Sequence, residues 1–186
     1  MMKEDRLNNI AYALNAAEYN WGKILEWAKK KLEGNPRPMF HIRSMSWELY
    51  SAFDYLLQFI NEKLDLGIAV SNVKWDKEFK NKLKKANQAI FADVSNLSNS
   101  QLFKYVKSFR NYSHKWCLDR GFIWLHSEGL GDFILLNNQN RESSLPPQIS
   151  VSTELVDKMG ILINNVLRHF SVSLKKRQGF LTPIRK

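Results

Sequence analysis

The chain has 186 residues, a length that suits one domain of ordinary size with a sizeable core. Hydrophobic residues make up 44% of the chain and aromatic residues 12%, which excludes a disordered polar chain. With 28 Lys and Arg against 18 Asp and Glu, the formal net charge is +10. This charge favours nucleic acid or an acidic membrane face as a partner, without proving that either is bound.

The cysteine content and the start of the chain indicate where the protein works. A single cysteine, Cys117, excludes an intramolecular disulfide and a cysteine zinc cluster, and it favours a reducing compartment. The first residues lack the unbroken apolar run of a signal peptide, and no stretch approaches a membrane span in length. We therefore expect a cytoplasmic protein with no membrane segment. The four histidines show no metal-ligand spacing and no glycine-rich phosphate loop is present, so we expect no metal and no cofactor.

Apolar residues that recur every 3.6 positions predict five helices along the chain. Their predicted ranges are about 7–32, 40–64, 76–94, 101–118 and 153–177. The third helix carries several lysines opposite its apolar side, and these either only face solvent or follow an RNA backbone. Residues 179–186 are predicted to form a basic C-terminal tail.

Helical period stops between the fourth and fifth helices. Residues 121–136 contain two short apolar runs around the segment EGLGD at 128–132, which predicts a β-hairpin with a glycine-rich turn. No internal repeat and no second composition zone is visible. The sequence therefore predicts an all-α fold in one domain over residues 1–178: an antiparallel bundle of about five helices with one β-hairpin insert.

The segment SFRNYSHKW at 108–116 is the most informative stretch for function. At 100° per residue, the bulky residues of the fourth helix cluster on one side, and this predicted core stripe comprises Leu102, Tyr105, Phe109, Tyr112 and Trp116. Arg110 and His114 then lie together off that stripe, with Asn111 beside them. A guanidinium binds two phosphate oxygens, and an imidazole exchanges the proton of a ribose 2′-hydroxyl, so the group suits RNA cleavage without a metal. A solvated basic face would show the same spacing.

Three residues of the second helix are candidate contributors to the same site. His41 and Arg43 would add phosphate contacts if this helix packs beside the fourth, or they are an exposed helix start. Asp54 lies near the apolar side, where a carboxylate is costly unless it is paired, so it would hold Arg110 in position. Exposure at the edge of the stripe is the alternative for Asp54.

The order of helices and the segment RNYSH at 110–114 resemble the HEPN superfamily, the higher eukaryotes and prokaryotes nucleotide-binding domains. This resemblance implies a metal-independent endoribonuclease of a toxin, phage-defence or RNA-processing system, with a composite site between the motif helices of a homodimer. It implies that Arg110 clamps the phosphate, that His114 is the general acid or base, and that Asn111 orients one of them. The predicted substrate-binding residues around them are Lys107, Lys115, Arg43 and His41, and the predicted supporting residue is Asp54.

The resemblance also leaves a second function open. Three residues separate Arg110 from His114, fewer than in the ribonuclease members of the family. Some family members have no catalysis and serve as binding or dimerisation modules. The shorter spacing favours this alternative, a HEPN-like helical module that binds RNA or a protein partner such as an antitoxin-like protein.

Overall fold

The structure is a computed structural model, and it describes residues 5–28, 37–115, 122–127, 130–136, 148–151, 154–177 and 179–185. Its α-helices are α1 (Arg6–Ala28), α2 (Arg37–Lys63), α3 (Lys77–Ala86), α4 (Gln88–Asn99), α5 (Gln101–Lys115) and α6 (Glu154–Leu167). Its strands are β1 (Phe122–Ser127), β2 (Leu130–Leu136), β3 (Gln148–Val151), β4 (Val172–Arg177) and β5 (Phe180–Arg185). Most of the described residues are helical, so the predicted all-α class is confirmed.

The core is built on α1 and α2, whose mutual contact is the most extensive between any two described elements. Every third or fourth residue of each helix is buried, as the 3.6-residue period predicts. Alanines let the two backbones approach, while large side chains fill the remaining space. The buried set includes Leu7, Ile10, Ala13, Leu14, Ala17 and Ile24 on α1 and Ile42, Met45, Leu49, Ala52, Phe53, Leu56 and Ile60 on α2.

Asn87 divides the predicted third helix in two. Its backbone is extended, with φ −157° and ψ 107°, and its side-chain oxygen accepts a hydrogen bond from the Ile90 amide at 3.0 Å. Its own N–H donates to the Leu83 carbonyl, which ends α3. An asparagine side chain is a favoured N-cap because it satisfies an amide that the helix leaves unpaired. The prediction of one helix over 76–94 is therefore wrong, and the described chain has six helices where about five were predicted.

The predicted hairpin at 121–136 is confirmed by the antiparallel pairing of β1 with β2, from Phe122 opposite Leu135 to Ser127 opposite Leu130. Residues 130–132, predicted for the turn, instead belong to β2. A third strand, β3, pairs antiparallel with β2 and extends the hairpin to a three-stranded sheet. The sequence analysis missed β3 because four residues are too few to show a period.

The C-terminal region differs most from the prediction. The last helix ends at Leu167 rather than near residue 177, and a 3₁₀ turn over Arg168–Phe170 follows it. Ser171 then adopts a left-handed conformation with φ 56°, which reverses the chain. Residues 172–177 form β4, and the predicted basic tail forms β5, which pairs with it antiparallel. Leu174 matched the helical period because it is buried, but it is buried on the inner face of a strand and not on a helix.

Two asparagines attach this C-terminal hairpin to the helices. The Asn15 side chain of α1 donates to the Leu181 carbonyl at 2.9 Å and accepts from the Leu181 amide at 2.7 Å. Asn164 of α6 does the same for Leu174, at 3.2 and 2.7 Å. Each amide side chain thus satisfies both backbone groups of one strand residue. Because both backbone groups of Leu174 bond to Asn164, they make no bond to the opposite strand residue, Pro183. A proline, which has no N–H, is therefore tolerated at that position.

Asn61 repeats this arrangement inside the bundle. Its side chain donates to the Ile68 carbonyl at 2.9 Å and accepts from the Ile68 amide at 3.2 Å, and both residues are buried. It thereby fixes the chain where it leaves α2.

We expect Asn15→Ala and Asn164→Ala each to lower the free energy of unfolding by about 1–3 kcal/mol, because each leaves two partly buried backbone groups without their partners. Urea unfolding followed by circular dichroism measures the change. Asn96→Ala is the matched control, since Asn96 is exposed on α4, and it should be within about 0.5 kcal/mol of the unsubstituted chain. Equal stability of all three variants would contradict the attachment.

Candidate functional site

The face of α5 that packs on the bundle is defined by Phe103 and Val106, which are 3% and 0% exposed. Arg110 lies four residues after Val106 and seven after Phe103, so it shares their face. The prediction that Arg110 lies off the core side is therefore wrong. The predicted stripe was drawn through the aromatic residues of α5 and left out Val106, which is fully buried. Of the predicted stripe, Leu102 is half-buried, and the side chains at 105, 109, 112 and 116 lie outside the described residues.

Arg110 lies against two aromatic rings of α2. Its guanidinium carbon is 4.8 Å from the centroid of the Trp47 ring and 4.2 Å from that of the Tyr50 ring. Rings three residues apart on a helix face the same way, so one guanidinium covers both. Each such contact contributes about 0.5–2 kcal/mol, more as water is excluded. The rings therefore fix the position of the Arg110 side chain.

One of these rings, Tyr50, also contacts aromatic residues of the core. Tyr50 stacks on Phe103 of α5 with centroids 5.7 Å apart and planes at 19°, and Phe103 packs on Phe53 at 4.3 Å. Phe53 and Phe103 are nearly fully buried. Arg110 is thus the outer end of an aromatic cluster that joins α2 to α5.

Asp54 is the acidic neighbour of this arginine. It lies four residues after Tyr50 on α2 and is half-buried. Burial raises the pKa of its carboxyl from the ordinary 3.8 to about 6, and the charge of Arg110 opposes part of that rise. Burial and the charge of Asp54 also raise the pKa of the Tyr50 hydroxyl. The charge of Arg110 therefore acts on the Asp54 carboxyl, while the role of Asp54 in holding Arg110 stays a prediction.

The other predicted residues of α5 lie around Arg110. Asn111 and Lys107 are exposed and lie four residues apart on the helix. His114 and Lys115 belong to the last turn of α5, but their side chains lie outside the described residues. Helical spacing places residue 114 one turn beyond Arg110, about 40° from it around the axis.

The structure separates the two predicted residues at the start of α2. The Nδ1 atom of His41 is 3.0 Å from Oδ1 of Asn20 on α1, and burial lowers the pKa of the imidazole, as does the nearby charge of Lys23. His41 therefore faces α1, away from Arg110. Arg43 is exposed and lies one turn before Trp47, on the side of α2 that carries the rings.

Trp47 and Tyr50 are the site residues that the sequence analysis missed. Both precede Asp54 at helical spacing, at seven and four residues, so one face of α2 carries two rings and a carboxylate. That spacing could have predicted a cationic side chain packed against this face, because rings and a carboxylate both attract a cation. The arginine that meets it depends on how α2 and α5 pack, which periodicity alone does not specify.

Among the residues that the structure describes, no group of three or more His, Cys, Asp and Glu side chains could hold a metal ion. None of the described helices is both long enough and apolar enough to cross a membrane.

Comparisons with models of protein families, with curated proteins and with solved structures found no match to this chain. The likeness to the HEPN superfamily therefore rests on the helix order and the segment at 110–114.

We expect Asp54→Asn to raise the free energy of unfolding near neutral pH. The folded chain binds the Asp54 proton more tightly than the unfolded chain does. The neutral carboxyl therefore contributes to the free energy of unfolding fully below about pH 3.8, and this contribution is lost as the pH rises through about 6. The amide avoids that loss. After allowance for partial solvent exposure, the gain near pH 7.5 should be about 1–2 kcal/mol, shrinking towards zero near pH 3.5.

Urea unfolding at both pH values measures this difference. Asp65→Asn is the control, because Asp65 is exposed with φ 48° and asparagine also adopts left-handed backbone. A pH-independent effect of Asp54→Asn would show that burial does not set the titration of this carboxyl.

Proposed function

We propose that this protein is a HEPN-like, metal-independent endoribonuclease that acts through Arg110, Asn111 and His114. The observation that supports this proposal is the placement of Arg110, stacked on Trp47 and Tyr50 beside a carboxyl whose pKa is raised to about 6. A guanidinium in a fixed position next to a group that titrates near neutrality is typical of sites that handle phosphate and protons.

The proposed reaction uses the RNA itself as the nucleophile. His114 takes the proton of a ribose 2′-hydroxyl, the 2′-oxygen attacks the adjacent phosphorus, and the bond to the 5′-oxygen breaks. The 5′-oxygen leaves with a proton from the protonated His114 of the second copy at the composite site, and a 2′,3′-cyclic phosphate remains. Arg110 binds the phosphate oxygens as charge develops on them, and Asp54 orients the guanidinium. Lys107, which is exposed, contacts the RNA backbone beside it, and Asn111 orients the phosphate or His114.

A homodimer with a composite site is part of this proposal. Because Arg110 packs on rings of α2, the dimer rests on the resemblance and on the exposure of Asn111. Two copies of α5 that meet near Asn111 would give one cleft two arginines and two histidines. The cytoplasmic setting and a role in toxin, defence or RNA-processing systems belong to the same proposal.

The same placement of Arg110 also fits a second function, a non-catalytic module that binds RNA or a protein partner. Arg110 packs on the rings that join α2 to α5, which is also what an arginine of purely structural importance does. The exposed lysines of α3, such as Lys77 and Lys85, would then follow an RNA backbone without catalysis.

A nuclease assay on purified variants separates the two functions. With EDTA present, the unsubstituted protein should cleave RNA and leave 2′,3′-cyclic phosphate ends. His114→Ala should reduce cleavage by about 10²-fold or more while RNA binding persists, because a general base acts in the transition state. Arg110→Lys should weaken both cleavage and binding, since lysine keeps the charge but loses bidentate contact and stacking.

Lys175→Gln is the control for loss of one exposed cation, and it should leave both RNA binding and the cleavage rate unchanged. Circular dichroism establishes that each variant is folded. If every folded variant binds RNA equally well and none cleaves it, the endoribonuclease is excluded and the binding module stands.

The dimer has a separate test in light scattering across a concentration series. We expect the mass of two chains, and Asn111→Glu should shift the equilibrium towards monomer, because it puts like charges opposite each other at the two-fold contact. Asn96→Glu is the control, with the same change at an exposed position of α4. A strictly monomeric protein at high concentration would exclude the composite site.

A further inference from the structure

An open cleft of about 370 Å³ lies between α4 and the end of α6, remote in sequence from the α5 motif. Four polar residues line it: Asp93 from α4, Asn165 from α6, and Arg168 and His169 from the 3₁₀ turn. A cation, an imidazole, an amide and a carboxylate therefore converge on one surface depression.

The backbone beneath this cleft is held from both sides. Leu167, immediately before the turn, is fully buried. Phe170, at its end, packs edge-on against Phe59 of α2 with centroids 5.2 Å apart. Ser171 closes the turn in a left-handed conformation and donates its N–H to the Arg168 carbonyl at 3.0 Å. Arg168 and His169 are exposed on this anchored turn, so their backbone is already positioned for a ligand.

One ring nitrogen of His169 is held by Asp93. The Nε2 atom of the imidazole is 2.7 Å from Oδ2 of Asp93, and the two side chains are 30% and 37% exposed. Such a contact fixes the ring plane and turns Nδ1 away from the carboxylate. A protonated imidazole has a donor on each nitrogen, so Nδ1–H remains for a second acceptor.

The carboxylate does not also bind the arginine. Among the described residues, Asp93 forms an ion pair with His169, and no ion pair involves Arg168. When His169 is protonated, the cleft holds two positive charges and one negative charge. In that state the cleft has an excess of positive charge and three donor groups: a guanidinium, an imidazolium and an amide.

We propose that this cleft is a binding site for a phosphate group. Arg168 contacts two phosphate oxygens at once, His169 donates from Nδ1, and the Asn165 amide donates a further hydrogen bond. Asp93 is a positioning residue that holds the imidazole and does not touch the ligand. The phosphate belongs to a small molecule such as a nucleoside monophosphate or to the backbone of RNA, which have this group in common.

A ¹H–¹⁵N NMR titration of the full chain in mildly acidic buffer tests the site. Inorganic phosphate should shift the resonances of Asn165, Arg168 and His169 in a saturable manner, and adenosine 5′-monophosphate should shift the same set. Arg168→Gln should weaken the affinity roughly tenfold or more, because it removes a charge-assisted bidentate contact. Asp93→Asn should weaken the affinity and also alter the imidazole ¹⁵N shifts of His169, which a general loss of charge would not do.

Lys175→Gln is the matched control: it removes one exposed cation on β4 and should leave the phosphate affinity within a factor of two. An RNA oligonucleotide without terminal phosphates identifies the source, because competition with inorganic phosphate indicates backbone binding and its absence indicates a small molecule. Phosphate shifts that are non-saturable, or that persist unchanged in Arg168→Gln, overturn the proposal. No residue of this cleft belongs to the α5 motif, so the result is independent of the nuclease assay.

Discussion

The contact between α1 and α2 is the constraint on which the other helices depend. One side of α1 packs on α2, while its polar edge holds β5 through Asn15, and both helices also contact α6. In turn, α2 carries α5, and α5 connects to α4 and α6. A change in how α1 packs on α2 would therefore move the Trp47 and Tyr50 rings that hold Arg110, because both rings belong to α2.

The aromatic cluster between α2 and α5 links the position of Arg110 to the core. Phe53 and Phe103 belong to the core, Tyr50 is half-buried, and Arg110 covers its outer face. A charged group joins this cluster only at its edge, where the guanidinium of the partly exposed Arg110 lies over the Trp47 and Tyr50 rings. A carboxylate next to that edge is partly desolvated, which is why Asp54 shares the region with the arginine and titrates so far from its ordinary range.

Sequence periodicity predicted the elements whose burial is one-sided and long. The buried residues of α1 and α2 follow the apolar pattern along both helices, and the β1–β2 hairpin follows its two apolar runs. Periodicity failed where one local residue decides the outcome. Asn87 breaks a continuous apolar pattern by capping α4, and Ser171 ends a helical pattern that Leu174 would otherwise continue.

The candidate site was predictable in its residues but not in its orientation. The cost of burying a carboxylate predicted a cationic neighbour for Asp54, and the charge of Arg110 does lower the pKa of that carboxyl against the effect of burial. The direction in which Arg110 points was not available, because Val106, a small residue, determines which face of α5 is buried. His41 was misplaced for a similar reason: its partner Asn20 lies on a helix that periodicity could not position beside it.

The asparagines that hold the C-terminal hairpin also affect how the protein behaves among other copies of itself. A two-stranded ribbon has two free edges, and such edges recruit strands from neighbouring chains into aggregates. Here Asn164 occupies the outward backbone groups of β4 at Leu174, Asn15 occupies those of β5 at Leu181, and Pro183 presents no N–H. Both edges are thus blocked at their middle by side chains of the same molecule, and a concentrated solution of this basic protein has less opportunity to form intermolecular sheets through its C-terminus.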